Sequence, residues 1–185
     1  MRFTAKIVLD VDNVLADSMA CFCDRASAIL GEPVRKTDIK SHKVVGSVDL
    51  PPLKIFQIQD DVWKNWKEIS PTENDLVKSL NMLRESSLEI MVATSGPKRR
   101  TDFVQEWLRA NRLPFDEFYA LGPNVLKAKL QGQALVDDAP EQIKSFVEDR
   151  RVGFLYSQPW NIGAFVKDAI RISSIREVVK RYRRI

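Results

Sequence analysis

The stretch AKIVLDVDNVLAD, residues 5–17, is the most informative part of the chain for fold prediction. Residues 5–11 form a short, β-branched apolar run of the kind that becomes a buried strand. Asp10 and Asp12 flank Val11 at the end of this run. In doubly wound α/β sheets, ligands bind at the carboxyl ends of the strands, so these two carboxylates are the first candidate site residues.

Outward from this strand, apolar runs of strand length alternate with amphipathic segments. Further strands are predicted at 88–94, 117–121, 134–137, 152–156 and 169–173, the last at a sheet edge. Helices are predicted at 17–30, 98–111, 139–149 and from about 174. Another helix, with Ser70 as N-cap and Glu73 in a capping box, is predicted from Pro71 to about Glu85. This alternation predicts an α/β fold with a parallel central sheet covered by helices on both faces.

The connection between the first two predicted strands is much longer than an ordinary βα loop of a few residues. We therefore predict a small helical cap at residues 17–70, inserted after the first strand into a core formed by residues 1–16 and 71–185. The insert contains Trp63 and Trp66, three residues apart. Tryptophans at this spacing either stack on a substrate or pack in the core, and Trp63 is the preferred candidate for stacking.

The composition is that of a globular domain, since 44% of the 185 residues are hydrophobic and 29% are charged. No apolar run approaches the ~18 residues of a membrane span, and no secretory signal is recognisable, so the expected location is the cytoplasm. Two cysteines, Cys21 and Cys23, and one histidine, His42, exclude zinc sites with four cysteines or two histidines. A Cys–His hydrolase is disfavoured because His42 lies in a polar stretch with no base-orienting partner.

The formal net charge of +4 is unevenly distributed along the chain. The last twenty residues carry seven basic and two acidic side chains, so the remainder is nearly neutral. This basic C-terminal helix favours a rival, non-enzymatic hypothesis of a nucleic-acid-binding module. The same helix carries an apolar stripe that leaves its basic residues as a solvated face, and we therefore do not expect a nucleic-acid partner; the stripe comprises Ile175, Val178, Val179 and Tyr182.

Residues with catalytic chemistry follow or precede several of the predicted strands. They are Asp10, Asp12, Thr94, Ser95, Gly96, Lys127, Lys129, Asp137 and Asp138. Carboxylates that converge at one sheet edge repel one another, and Mg²⁺, which prefers oxygen ligands, would relieve that repulsion. A hydroxyl, backbone N–H groups and an ammonium complete a set suited to phosphoryl transfer.

These motifs resemble those of the haloacid dehalogenase superfamily of aspartate-nucleophile phosphatases. The D-x-D motif appears in IVLDVDNVLAD, the second motif in IMVATS, and a lysine then precedes the acidic pair of LVDD, all in order over roughly residues 5–161. DVDNVLAD, ATSGP, SQPWN and a lysine ten residues before the acidic pair are similar to the deoxyribonucleotidase-like branch. The resemblance implies a Rossmann-like, three-layer fold with a small cap. Asn13 departs from the pattern, in which Gly is commoner at this position.

The resemblance also implies roles for the site residues. Asp10 is the expected nucleophile, which forms an aspartyl-phosphate, and Asp12 is the expected acid and base, with its backbone carbonyl on the metal. Asp10 and Asp138 are expected to bind Mg²⁺, and Asp137 is expected either to bind it or to accept a hydrogen bond from its water. Phosphate contacts are expected from Thr94, Ser95, Gly96 and Lys127, with Lys129 as the alternative lysine.

The expected function is Mg²⁺-dependent hydrolysis of a small phosphate monoester, and the resemblance implies (deoxy)nucleoside monophosphates. Sugar or other metabolite phosphates and nucleic-acid ends are the alternatives. Substrate contacts are expected from the two tryptophans and from a polar turn at the same sheet edge, for which packing of the turn is the alternative; that turn contains Gln158, Trp160 and Asn161. The sequence leaves the choice between a monomer and a homodimer open.

Overall fold

A computed structural model of the protein describes residues 5–182. Within them lie six strands: β1 Ala5–Asp10, β2 Leu88–Ser95, β3 Glu117–Leu121, β4 Ala134–Asp137, β5 Val152–Tyr156 and β6 Ile170–Ile172. They form one sheet in the order β3-β2-β1-β4-β5-β6, in which every neighbouring pair is parallel. The α-helices are α1 Ser18–Leu30, α2 Pro52–Lys64, α3 Leu76–Glu85, α4 Thr101–Ala110, α5 Pro140–Glu148 and α6 Ile175–Tyr182. The predicted α/β fold with a parallel sheet is confirmed.

Successive side chains of β1 enter two separate apolar cores, one on each face of the sheet. Ile7 and Leu9 belong to the larger core, to which α1, α3, α4 and α6 contribute. Val8 belongs to the smaller core, which Ile143 and Phe146 of α5 cover. Because β1 is buried on both faces, the run at residues 5–11 lacks the regular alternation of apolar and polar residues that a half-buried strand shows.

A glycine in β5 leaves room for side chains of the helix that packs against it, α5. A Cβ atom at Gly153 would lie 2.8 Å from methyl carbons of both Ile143 and Val147. The missing side chain therefore lets Ile143 and Val147 of α5 pack directly against the backbone of β5.

The first helix has the boundaries that its sequence predicts. The side chain of Asp17 accepts a hydrogen bond from the backbone N–H of Ala20 at 3.3 Å, as an N-cap does. The helix ends at Gly31, which has a φ of 73°, a left-handed conformation that glycine adopts without steric cost.

The predicted start of the third helix is wrong, because α3 begins at Leu76 and not at Pro71. Pro71 forms an antiparallel bridge with Ala16. The carboxylate of Glu73 does not close a capping box and instead accepts hydrogen bonds from two distant parts of the chain, the Tyr156 hydroxyl and the Ile175 N–H. Long-range pairing has overridden a strong local capping signal.

The segment between β1 and α3 contains α1, α2 and two single 3₁₀ turns, Lys36–Asp38 and Trp66–Glu68. Apolar side chains of α1 and α2, among them Phe22 and Ile58, belong to the same buried cluster as the sheet residues of the larger core. The insert is thus packed continuously against that core. Its treatment as a separate cap, residues 17–70, stays a prediction.

The C-terminal helix shows the predicted apolar stripe, since Ile175, Val178 and Val179 are buried while Lys180 and Arg181 are exposed. Two further basic residues of the predicted helix, at positions 183 and 184, lie outside the described residues. None of the helices in the described part of the chain has the length and apolar character needed to cross a membrane.

Candidate active site

The register of the sheet gathers the predicted site residues at one edge. Asp10, the last residue of β1, pairs with Ala93 of β2, so that Thr94 follows directly beyond it. On the other side of β1 lies β4, which ends at Asp137. Because all strands are parallel, their carboxyl ends meet at this edge, as the sequence predicts.

A buried lysine joins two of these carboxylates. The Nζ atom of Lys127 lies 2.8 Å from Oδ1 of Asp10 and 2.6 Å from Oδ2 of Asp137. The backbone N–H of Lys127 donates to the side-chain amide oxygen of Gln142 at 2.9 Å, which fixes the turn before β4. Lys129 is exposed, so the geometry selects Lys127 between the two candidate lysines.

Burial perturbs the protonation of this cluster. It raises the pKa of Asp10 to about 8, and the negative charges of Asp137 and Asp12 act in the same direction while Lys127 opposes them. Burial also raises the pKa of Asp138 well above its usual value, with a further contribution from Asp137. Burial alone would lower the pKa of Lys127, but the charges of Asp10 and Asp137 outweigh it and keep this pKa above its ordinary value.

The carboxylates of Asp10, Asp137 and Asp138 form a group with the chemistry of a cation site. Each offers an oxygen atom, these oxygens all lie within 4.8 Å of one another, and all three residues are buried. These three carboxylates are accompanied by one ammonium, that of Lys127, which contacts two of them, so a divalent cation would complete the charge balance. Buried carboxylate oxygens are ligands that suit Mg²⁺, and the residues therefore fit this ion. The side chain of Asp12 is not a member of the group.

Asp12 is held by residues of the inserted segment. Its Oδ1 atom accepts a hydrogen bond from the indole N–H of Trp63 at 3.0 Å and another from the Ser18 hydroxyl at 2.7 Å. Trp63 borders the cleft described below, but only 1% of it is exposed. This corrects the expectation of a stacking platform, because a ring so deeply buried contacts a carboxylate with its edge and offers no open face.

The structure does not bring Trp66 to the site. Its indole N–H donates to the carboxylate of Glu106 at 2.8 Å, and Lys67 lies over its ring. The expectation of a substrate contact from Trp66 is corrected accordingly.

The polar turn after β5 supports the site from behind and does not line it. The indole N–H of Trp160 donates to Oδ2 of Asp138 at 2.8 Å, and the amide of Asn161 donates to the Asp138 carbonyl at 2.7 Å. The amide of Gln158 donates to the carbonyl of Asn13, which has a φ of 62°. The expectation that Gln158, Trp160 and Asn161 contact the substrate is therefore corrected. These residues instead hold Asp138 and the loop after β1 in place.

The last two residues of β2 offer hydroxyls to an anion. Thr94 lies beside Asp12 and Trp63 around a void of about 10 Å³. Among the described residues, nothing forms a hydrogen bond with the buried Oγ of Ser95, although Ser95 borders the cleft. The backbone N–H of Gly96 donates to the Leu121 carbonyl at 3.1 Å, so it is not free for a phosphate contact as the sequence led us to expect.

A cleft of about 730 Å³ lies above this floor, between the sheet edge and the inserted helices. Its walls include large apolar side chains that the sequence did not single out: Phe22, Val45, Phe56 and Leu126. Val45, Phe56 and Leu126 are 41–49% exposed. No local motif marks these residues, because they meet only when the inserted segment folds over the sheet edge.

Side-chain contacts tie the insert to the core on two sides of the cleft. The Nε2 atom of His42 lies 3.2 Å from Glu141 on α5. Asp60 of α2 accepts hydrogen bonds from Nε of Arg99 at 2.8 Å and from Nε of Arg100 at 2.6 Å. No sequence pattern indicates these contacts, since the partners lie roughly forty or a hundred residues apart.

Comparison with known families gives one match that covers nearly the whole chain. Residues 4–183 match the family described as 5′ nucleotidase, deoxy (pyrimidine), cytosolic type C protein. A search of curated protein sequences returned no match.

Solved structures with the same fold include several hydrolases. A haloacid dehalogenase-like hydrolase, SP0104 from Streptococcus pneumoniae, has a TM-score of 0.66 at 16% identity, over 98% of this chain and 100% of that chain. A protein described as a predicted phosphoglycolate phosphatase from Haemophilus somnus has a TM-score of 0.65 at 16% identity, over 98% and 99%. The magnesium-bound HAD-hydrolase YfnB from Bacillus subtilis has a TM-score of 0.64 at 11% identity, over 97% and 99%. At these identities the likeness shows the shared fold.

Proposed function

We propose that this chain, which belongs to the cytosolic type C family of deoxy (pyrimidine) 5′ nucleotidases, hydrolyses (deoxy)nucleoside monophosphates with the help of Mg²⁺. Its class, a phosphatase of the haloacid dehalogenase superfamily, follows from that membership and agrees with the fold. The substrate and the metal are the proposed part. The family description as cytosolic supports a cytoplasmic location for this chain.

The buried contact of Lys127 with Asp10 and Asp137 is the observation that carries the proposal. In the proposed reaction, Asp10 attacks the phosphorus atom and forms an aspartyl-phosphate. Lys127 holds Oδ1 of Asp10 in place and neutralises part of the charge that the phosphoryl group brings. Asp12 protonates the leaving oxygen and afterwards takes a proton from the water that hydrolyses the intermediate.

The neighbouring groups have supporting roles in this proposal. The hydroxyl of Ser95, which has no hydrogen-bond partner in residues 5–182, and that of Thr94 would donate to phosphoryl oxygens at the end of β2. Asp10, Asp137 and Asp138 would hold Mg²⁺. When bound, this ion supplies positive charge to the phosphoryl oxygens and lets three carboxylates stay ionised together.

The size and lining of the cleft favour a nucleotide over a smaller ester. Pockets of roughly 300–1,000 Å³ with apolar walls and a few polar groups hold drug-sized ligands, and this cleft has about 730 Å³. A sugar phosphate would leave the apolar side chains of Phe56 and Val45 exposed to water, whereas a nucleobase would cover them. In this proposal residues 17–70 act as the cap that closes the cleft over the core formed by residues 1–16 and 71–185.

Turnover by one variant and a substrate panel test the proposal. Asp10→Asn should abolish hydrolysis of p-nitrophenyl phosphate while leaving the circular-dichroism spectrum unchanged. In the wild type, deoxynucleoside and nucleoside monophosphates should have higher kcat/KM than sugar phosphates of similar charge, and chelation of Mg²⁺ should stop both reactions. Full activity of Asp10→Asn would refute the nucleophile, and equal kcat/KM for sugar phosphates would refute the nucleotide assignment.

A further inference from the structure

We propose that Trp63 is a positioning residue for Asp12, through which the inserted helix α2 takes part in proton transfer to the leaving group. This inference rests on the proposed function, because it assigns a partner to the carboxyl group that protonates the leaving oxygen. It gives the insert a part in the chemical step in addition to enclosing the cleft.

The hydrogen bonds of Asp12 distinguish its two oxygens. Oδ1 accepts from the Trp63 indole at 3.0 Å and from the Ser18 hydroxyl at 2.7 Å, while no hydrogen bond from the described residues reaches Oδ2. An indole N–H can only donate, so it fixes the carboxyl group without competing for its proton. Oδ2 is thereby left as the oxygen that carries the proton towards the cleft.

The proton balance of the first step shows what this orientation does. An Asp10 oxygen forms a bond to phosphorus as the bond from phosphorus to the ester oxygen breaks. The electron pair of the broken bond stays on the ester oxygen, which takes the proton from Oδ2 of Asp12. The alcohol leaves, Asp12 becomes a carboxylate, and hydrogen bonds from Trp63 and Ser18 stabilise the new negative charge through Oδ1.

Both donors come from the inserted segment, and the position of one depends on how that segment is docked. Trp63 lies one helical turn after Asp60 on α2. Asp60 binds Arg99 and Arg100, which follow β2 on the core. Docking of α2 through this ion pair therefore places the Trp63 indole against Asp12.

A series of phenyl phosphates with different ring substituents separates this role from others. The esters have nearly the same shape, but their phenols differ in acidity, and a less acidic phenol needs more help from a proton donor. The quantity to measure is kcat/KM, which covers the steps up to departure of the phenol. Trp63→Phe should lower kcat/KM about twofold for p-nitrophenyl phosphate and about tenfold or more for the least acidic phenol.

Trp66→Phe is the matched control, since it removes an indole N–H from a carboxylate outside the cleft. It should leave kcat/KM unchanged across the series. Ser18→Ala removes the second donor to Oδ1 with little change in volume, and it should steepen the dependence on phenol acidity in the same direction as Trp63→Phe.

Several results would overturn the inference. An equal loss for all esters would show that Trp63 only supports the fold, and a raised KM with an unchanged dependence on acidity would show that it contacts the substrate. If Trp63→Phe does not fold, Ser18→Ala decides, because Ser18 and Trp63 donate to the same Oδ1 of Asp12. A dependence of kcat/KM on phenol acidity that is unchanged in Ser18→Ala then overturns the inference. If the wild type hydrolyses none of the esters, the proposed function itself fails.

Discussion

At the scale of single residues, Lys127 balances the charge of two buried carboxylates. Its ammonium contacts Asp10 and Asp137, and all three side chains are at most 8% exposed. Breaking a buried ion pair by removing one partner is much more destabilising than losing a surface pair, because the remaining charge stays desolvated. The stability of the fold and the placement of Asp10 therefore depend on the same lysine.

Lys127→Met should destabilise the metal-free protein by about 3 kcal/mol, because the buried carboxyl groups of Asp10 and Asp137 lose the ammonium that they both contact. The exposed Lys129 provides a matched control, and Lys129→Met should change the free energy of unfolding by less than about 0.5 kcal/mol. Urea denaturation in EDTA measures both values. Similar losses for the two variants would contradict the arrangement described here.

Sequence reasoning found the residues of this cluster but not the partners of Asp12. Lys127 and Asp137 are only ten residues apart, so a motif in the sequence can relate them, and the structure places Lys127 Nζ 2.6 Å from Asp137 Oδ2. The bond from Trp63 to Asp12 joins residues 51 positions apart and depends on the path of the insert. The indole of Trp63 has a buried hydrogen-bonding role that the sequence around it does not show.

At the scale of secondary-structure elements, long-range contacts decide the start of α3. Its sequence has a proline and a capping box that favour an earlier start, yet Pro71 pairs with Ala16 and Glu73 binds the end of β5 and the start of α6. Burial raises the pKa of Glu73, but two donors satisfy its carboxylate. The central strands β1, β2, β4 and β5, by contrast, were predictable because their apolar runs are short and mostly buried on both faces.

Glu73→Ala should lower the free energy of unfolding by about 1–3 kcal/mol, since the Tyr156 hydroxyl and the Ile175 N–H lose their acceptor. Glu73→Gln keeps an acceptor oxygen and should cost less. Thermal unfolding measures the order, with Glu85→Ala, at an exposed position of α3, as the control. If Glu73→Ala is no worse than Glu85→Ala, the contact between α6 and the start of α3 does not stabilise the fold.

At the scale of the whole molecule, the charge distribution separates a nearly neutral body from a basic C-terminal end. Within this body, the carboxylates of Asp10, Asp137 and Asp138 are buried at one edge of the sheet, where β1 and β4 end side by side. Any cation bound there joins strands that are far apart in sequence. Its effect should therefore appear in the global stability of the protein.

Without metal, stability should fall as the pH rises from about 4 to about 8. Burial raises the pKa of Asp10 from 3.8 to about 8, so in this range the folded protein keeps a proton that the unfolded chain has released. One such proton costs at most about 1.4 kcal/mol per pH unit. Asp10→Asn lacks this titration, and its stability should depend less on pH.

Chemical denaturation of both proteins in EDTA, between pH 5 and about pH 8, measures this difference. Mg²⁺ is then added to both proteins at a hundred times its dissociation constant for the wild type. It should stabilise the wild type by about 2.7 kcal/mol and Asp10→Asn by less. Parallel pH profiles for the two proteins without metal would contradict the burial of an ionisable Asp10, and equal stabilisation by Mg²⁺ would contradict its part in the metal site.

The central position of β1 has a consequence for synthesis on the ribosome. β1 is made first, but Leu9 pairs with Val136 of β4, which follows roughly 130 residues later, or about 6–26 s at ordinary elongation rates. During this time one backbone edge of an apolar strand has no native partner and is open to other chains. Products that terminate before β4 keep that edge open permanently, and they should aggregate or require a chaperone instead of retaining partial activity.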